Sequence, residues 1–222
     1  EKSPVTGGHI RRVANMTLTF ADILTKNQDK YKDISFNDDQ IAELRIAAWM
    51  HDIGKVTTPV EVVEKAKKLQ TIFDRIEFVD LRICFIIEQM EKSFLNEKIK
   101  ILQNGSDLKK VSTLEDKQKI KRQELMDIRD FIKQCNNPGE FLEDEKIARL
   151  EEISKMTWTD FDGNEQPFLN DDEVLNLSIR RGSITESERK KMQNHAAVTL
   201  KMLKKIPFTK KLKNIPLYAG AH

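Results

Sequence analysis

Cysteine is nearly absent: the 222 residues contain only Cys84 and Cys135. That excludes a disulfide scaffold and any four-cysteine zinc site. Both lie in apolar helical patterns and read as reduced core thiols. No long uncharged apolar run occurs and the mean hydropathy is −0.55, which leaves no membrane-spanning helix. Charge of one sign is also lacking. Thirty-eight Lys and Arg face 36 Asp and Glu, and the resulting +2 excludes a strongly cationic nucleic-acid binder, so DNA is not an expected partner. Eight Gly and six Pro are too few for a low-complexity or fibrous chain. Residue 1 is Glu with no apolar signal segment after it, which reads as cytoplasmic. A start within a longer protein fits equally well.

What remains is a 25.8 kDa chain, 39% hydrophobic and 33% charged, enough for one domain with a large insertion. Its periodicity is helical almost throughout, and β-branched residues are not clustered. The predicted fold class is therefore all-α. A first helix is expected over about 8–25, with His9, Val13, Met16 and Phe20 on one face. A second follows the capping signal Asn37-Asp38-Asp39-Gln40 and turns Ile41, Leu44, Ala47, Ala48 and His51 inward. Gly54 is read as its stop. Two long helices are predicted over about 71–103 and 114–133, then another over 141–156. Residues 138–173 hold twelve acids and three bases. Thr185-Glu186-Ser187-Glu188 is a capping box opening a helix to about 205. Residues 186–213 reverse the balance, with nine bases and two acids.

Histidine carries the chemical interest, because there are only four: His9, His51, His195 and His222. His51-Asp52 is followed at once by Ile53-Gly54-Lys55. Neighbours on a regular helix diverge by about 100°, so this pair can share a ligand only where a helix ends. An imidazole nitrogen and a carboxylate oxygen at one point suit iron, manganese or zinc. Lys55 adds a cation able to meet a phosphate. A single apolar-face histidine is ordinarily a satisfied core residue. Here His9, His51 and His195 sit on the apolar sides of three different predicted helices, which favours a metal centre over three separate core histidines.

His51-Asp52-Ile53-Gly54-Lys55 resembles the signature of the HD phosphohydrolase superfamily. Thr6-Gly7-Gly8-His9-Ile10-Arg11-Arg12-Val13 is similar to the opening helix of its HD-GYP branch. Arg181-Gly182-Ser183-Ile184-Thr185-Glu186-Ser187-Glu188-Arg189, running on to Asn194-His195, is similar to the helix carrying that branch's next ligand. Tyr218-Ala219-Gly220-Ala221-His222 looks like the approach to its paired-histidine motif. The resemblance covers about residues 3–68 and 179–222. It implies an HD-domain helical bundle, formed by 1–68 and 179–222, with 69–178 as a long inserted helical subdomain. It also implies two divalent metals, iron or manganese favoured. His9, His51, Asp52, His195 and His222 would be ligands by motif match, with Lys55 on the substrate phosphate. Val5 stands where the family often has a ligating Glu, so two metals are expected rather than three. The second histidine of the pair and the Gly-Tyr-Pro loop would lie beyond His222, so the resemblance leads one to expect a truncated or partly ordered version of a longer chain.

The implied activity is hydrolysis of a cyclic dinucleotide, chiefly cyclic di-GMP, with Asp52 and Lys55 as catalytic residues. An HD phosphohydrolase acting on another nucleotide or phosphate ester, and a non-catalytic HD-type interaction module, are the two rivals. The apolar residues Ile72, Phe73, Ile76 and Val79, with Ile83, Phe85, Ile86 and Ile87, suggest a homodimer through the 71–135 helices. Asp160–Glu165 lacks calcium-loop spacing and is read as a turn.

Overall fold

The computed structural model describes residues 4–27, 30–104, 108–139 and 141–221. The fold is all-α: helices make up 68% of it, beside one two-stranded sheet. No helix among the described residues is long and apolar enough to cross a membrane. The chain divides into two compact units, one of residues 1–64 and 186–222, the other of residues 65–185.

The first unit contains α1 (Pro4–Lys26), α2 (Asp38–Met50), the one-turn α3 (Val60–Val63), α8 (Glu186–Leu203) and the short α9 (Ile215–Ala219). The predicted start of α2 is found in full. The Asn37 side chain accepts from the Gln40 backbone N–H at 2.9 Å, and the Gln40 side chain accepts from the Asn37 N–H at 2.9 Å. That reciprocal pair satisfies two otherwise orphaned donors of the first turn. The inward face of α1 differs from the prediction. Met16 is 71% exposed and Phe20 63%, while Ala14 and Ala21 are buried, with Gly7 on the same face one heptad earlier. A stripe of small residues lets α1 approach its neighbour closely and turns the bulky positions outward. Ala47, Leu203, Ile215 and Ala219 form the core of this unit, where α2, α8 and α9 meet.

The second unit is built on α4 (Ile76–Gln103) and α5 (Leu108–Cys135). Ion pairs between them record an antiparallel hairpin: Lys98 with Glu115, Arg122 with Glu91 at 3.0 Å, and Arg129 and Lys133 with Asp80. The larger core lies at the base of this hairpin, where Val79, Ile83 and Ile87 of α4 and Leu125, Phe131 and Ile132 of α5 join α6 (Asp144–Ser154) and α7 (Asp171–Leu177). Ile72 and Phe73, expected on one apolar face of the helix with Ile76 and Val79, precede α4 and are 89% and 51% exposed. Cys84 is exposed, not a core thiol, because it lies off the Ile83–Ile87 stripe; Cys135 is buried. Residues 157–167 form a hairpin of β1 (Thr157–Thr159) and β2 (Glu165–Pro167). The Asp160 carboxylate accepts the Asp162 and Asn164 N–H groups at 3.0 and 2.8 Å, and Gly163 takes φ +88°. Those bonds satisfy a turn.

The Arg129 hydrogen bond, reinforced by Lys133, holds the Asp80 carboxyl down at about 2 against an ordinary 3.8. A carboxyl depressed in the folded state adds stability above its unfolded pKa, and that stability disappears as pH falls through the folded value. Asp80→Asn is therefore expected to lower stability by roughly 1 kcal/mol at pH 7. The deficit should vanish between about pH 4 and pH 2. Urea unfolding of both proteins across that range checks it; a deficit that is flat with pH would contradict the ion-pair account.

Candidate metal centre

The site of the first unit is organised by a glycine with no room for a side chain. Helix α2 stops at Met50, His51 is its C-cap, and Ile53–Thr57 continue as a tight 3-10 turn. Gly54 does not end the helix through a left-handed conformation; among the described glycines only Gly163 and Gly182 have positive φ. Its role is proximity to α8. A Cβ built on Gly54 would sit 2.1 Å from the His195 carbonyl oxygen and 2.7 Å from the Thr199 nitrogen. The Gly54 N–H donates to Thr199 Oγ1 at 2.9 Å, and Thr199 is fully buried. The backbone contact therefore brings His195 of α8 beside Asp52.

Asp52 is the centre of the cluster, its side chain 2% exposed. Its Oδ2 lies 3.1 Å from His51 Nε2, 3.7 Å from His9 Nε2 and 2.7 Å from Lys55 Nζ. Its Oδ1 faces His195 Nε2 at 3.2 Å. His9, His51 and Asp52 each offer one ligand atom within 4.8 Å of the other two, the spacing of a metal-binding group. Of the five residues predicted as ligands, four are brought together. His222 lies outside the described residues. His9 is not buried as expected: its side chain is 45% exposed, so it forms the open side of the cluster.

The two inner histidines are oriented from behind. His51 Nδ1 is 2.8 Å from the Ala48 carbonyl oxygen, and His195 Nδ1 contacts the Met192 carbonyl oxygen. A carbonyl only accepts, so Nδ1 carries a proton in each ring and Nε2 is the atom that faces Asp52. Burial opposes ionisation of Asp52, but hydrogen bonds from His51 and Lys55 outweigh it and hold the carboxyl well below the usual carboxylate range. The Asp52 hydrogen bond raises His51, despite its burial. Partial burial and the Lys55 cation lower His9. Three imidazole nitrogens around one ionised carboxylate fit a divalent transition metal in softness and charge. Binding would release the proton His51 holds toward Asp52.

Two supporting residues escaped the sequence reading. Thr199 is indistinguishable from a surface threonine until α8 meets Gly54. Glu43, 2% exposed within α2, accepts the Asn214 N–H at 2.6 Å and its side-chain amide at 3.1 Å, anchoring the segment that leads to α9. An acid one residue from an apolar position gives no sign of burial by itself.

A family model described as HD domain matches residues 6–132, more than half of the chain, and a second of the same description matches residues 171–222. No curated protein and no solved structure matches the chain.

Gly54→Ala is expected to cost about 3 kcal/mol or more, because backbone on both sides must move. It should also separate His195 from Asp52. Thermal unfolding reads the first effect; an unchanged midpoint would refute the close-packing role of Gly54.

Proposed function

The chain belongs to the HD-domain family, and from that premise we propose that it is a metal-dependent phosphodiesterase of the HD-GYP type, hydrolysing a cyclic dinucleotide, most simply cyclic di-GMP, in bacterial cytoplasmic signalling. Family membership suggests the coarser activity, metal-dependent phosphohydrolysis. The observation that supports metal-dependent hydrolysis is the convergence of His9, His51 and His195 on Asp52 with Lys55 alongside, and the ordered motifs similar to the HD-GYP branch support the finer reading.

His9, His51 and one oxygen of Asp52 would hold one divalent ion, and His195 with the other oxygen would contribute to a second, with His222 completing the set. Iron or manganese suits these donors. When bound, such a pair supplies hydroxide near neutral pH and neutralises charge on the phosphoryl oxygens. The chain's own residues do the rest. Asp52 stays ionised throughout the physiological range and presents an oxygen to each half of the site. The carbonyls of Ala48 and Met192 keep His51 and His195 in the tautomer that offers Nε2. Lys55, its side chain 22% exposed, provides a point charge for a non-bridging phosphate oxygen. Hydrolysis adds the elements of water across one P–O ester bond, oxygen to phosphorus and proton to the departing alkoxide. A cation at Lys55 favours the charge that builds on phosphorus-bound oxygens during this step.

The same reading keeps residues 69–178 as an insertion in a core of 1–68 and 179–222. It also has two copies pairing through residues 71–135, where Leu95, Ile99 and Leu108 remain exposed. Light scattering should then give twice the 25.8 kDa chain mass; a monomer would reject the pairing.

Elemental analysis should find about two iron or manganese ions per chain, absent from a His51→Ala, Asp52→Ala variant. The metal-loaded protein should hydrolyse cyclic di-GMP, and Lys55→Ala should lower that rate by roughly 100-fold. Hydrolysis of other phosphate esters with none of cyclic di-GMP would reduce the reading to the coarser activity. Absence of both metal and hydrolysis would sink it.

A further inference from the structure

A cleft of about 300 Å³ adjoins the cluster within the first unit. Asp52 and Lys55 are among its lining residues, and among the described residues that line it Lys55 is the only cation. Its walls are otherwise mainly apolar: Ile10 from α1, Trp49 from α2, Val56 from the 3-10 turn, and Val60 and Val63 of α3. Trp49 is 48% exposed, an unusual state for a large ring that directly follows the buried Ala47 and Ala48. Thr58, 3% exposed, also lines it.

These features restrict what can enter. A phosphate ester held at Lys55 has its substituent directed either to solvent or into this cleft. A second phosphate is disfavoured inside, because among the described lining residues no further cation accompanies Lys55. The volume stands at the low end for small-molecule pockets, so it fits one ring system rather than two. An aromatic face beside aliphatic walls suits a flat π-system that keeps polar atoms on its edge, and stacking on such a face is tolerant of base identity.

We propose that this cleft is a nucleobase subsite, in which one base of a nucleotide substrate stacks on Trp49 while Lys55 holds the adjoining phosphate. This rests on the phosphohydrolase reading and adds to it a specificity-determining residue. Trp49 touches the base and takes no part in the bond-breaking step.

The chain has two tryptophans, so Trp158→Phe leaves Trp49 as the only indole emitter. In that background guanosine 5′-monophosphate should quench the emission saturably, while ribose 5-phosphate and butyl phosphate should not. By calorimetry, Trp49→Ala should weaken guanosine 5′-monophosphate binding about five-fold or more and leave ribose 5-phosphate binding unchanged, with Trp49→Phe recovering most of the loss. Val63→Phe fills the cleft from α3 and should show the same selective loss, independently of any folding defect at position 49. Equal affinity for all three phosphates, unaffected by Trp49→Ala and Val63→Phe, would overturn the subsite while leaving a phosphate site at Lys55. Tighter binding of butyl phosphate than of the nucleotide would overturn it in favour of an alkyl pocket. If none of the three binds the native chain, both the subsite and the phosphate site fall.

Discussion

The site depends on a contact between two backbones. Where the turn after α2 crosses α8, Gly54 comes so close to His195 and Thr199 that a Cβ would overlap main-chain atoms. Close packing of this kind is stiff, since interiors near crystal density offer no slack to absorb a methyl group. It makes the distance between Asp52 and His195 a property of the fold, independent of side-chain choice. The buried Thr199 hydroxyl fixes the crossing by accepting the Gly54 N–H. Much of the first unit serves this crossing: Ala47 and Leu203 pack the two helices that meet there, and Glu43 anchors the segment entering α9.

Electrostatics then decides what that geometry can hold. A carboxylate as buried as Asp52 is costly unless surrounded by donors. Lys55 and His51 provide them, so the cluster tolerates a negative charge at its centre with the Nε2 atoms of three imidazoles around it. Such a centre is matched to a divalent cation. The exposure of His9 leaves one side open, and the apolar cleft adjoins Asp52 and Lys55. A charged centre, an open side and an apolar flank thus lie together in the first unit.

The second unit follows a different logic. Its hairpin is zipped by cross-helix ion pairs at three levels, while apolar packing is concentrated at the base. Arg82 adds a bidentate link to the buried Glu173, at 2.8 and 2.9 Å, and also donates to the Phe168 carbonyl at 2.8 Å. Glu173 in turn caps α7 by accepting the Asn170 N–H. One arginine thus ties α4 to the end of the β-hairpin and to a helix start.

The sequence by itself determined the features that depend on near neighbours in the chain. Helical periodicity named the fold class, Asn37 and Gln40 named a helix start, and His51-Asp52 with Lys55 named the segment at the centre of the cluster, because each signal lies within one or two helical turns. Three separated histidines, His9, His51 and His195, were also legible as ordered motifs, and the structure brings them to Asp52. What the sequence did not reveal is what distant segments do to one another. The reason for glycine at position 54, the partnership of Thr199, the burial of Glu43, the outward turn of Met16 and Phe20, and the cleft beside Trp49 all arise when helices far apart in the chain are packed together. Propensity and pattern act locally, whereas which face of a helix is covered and which atoms lack room are decided by the tertiary neighbours.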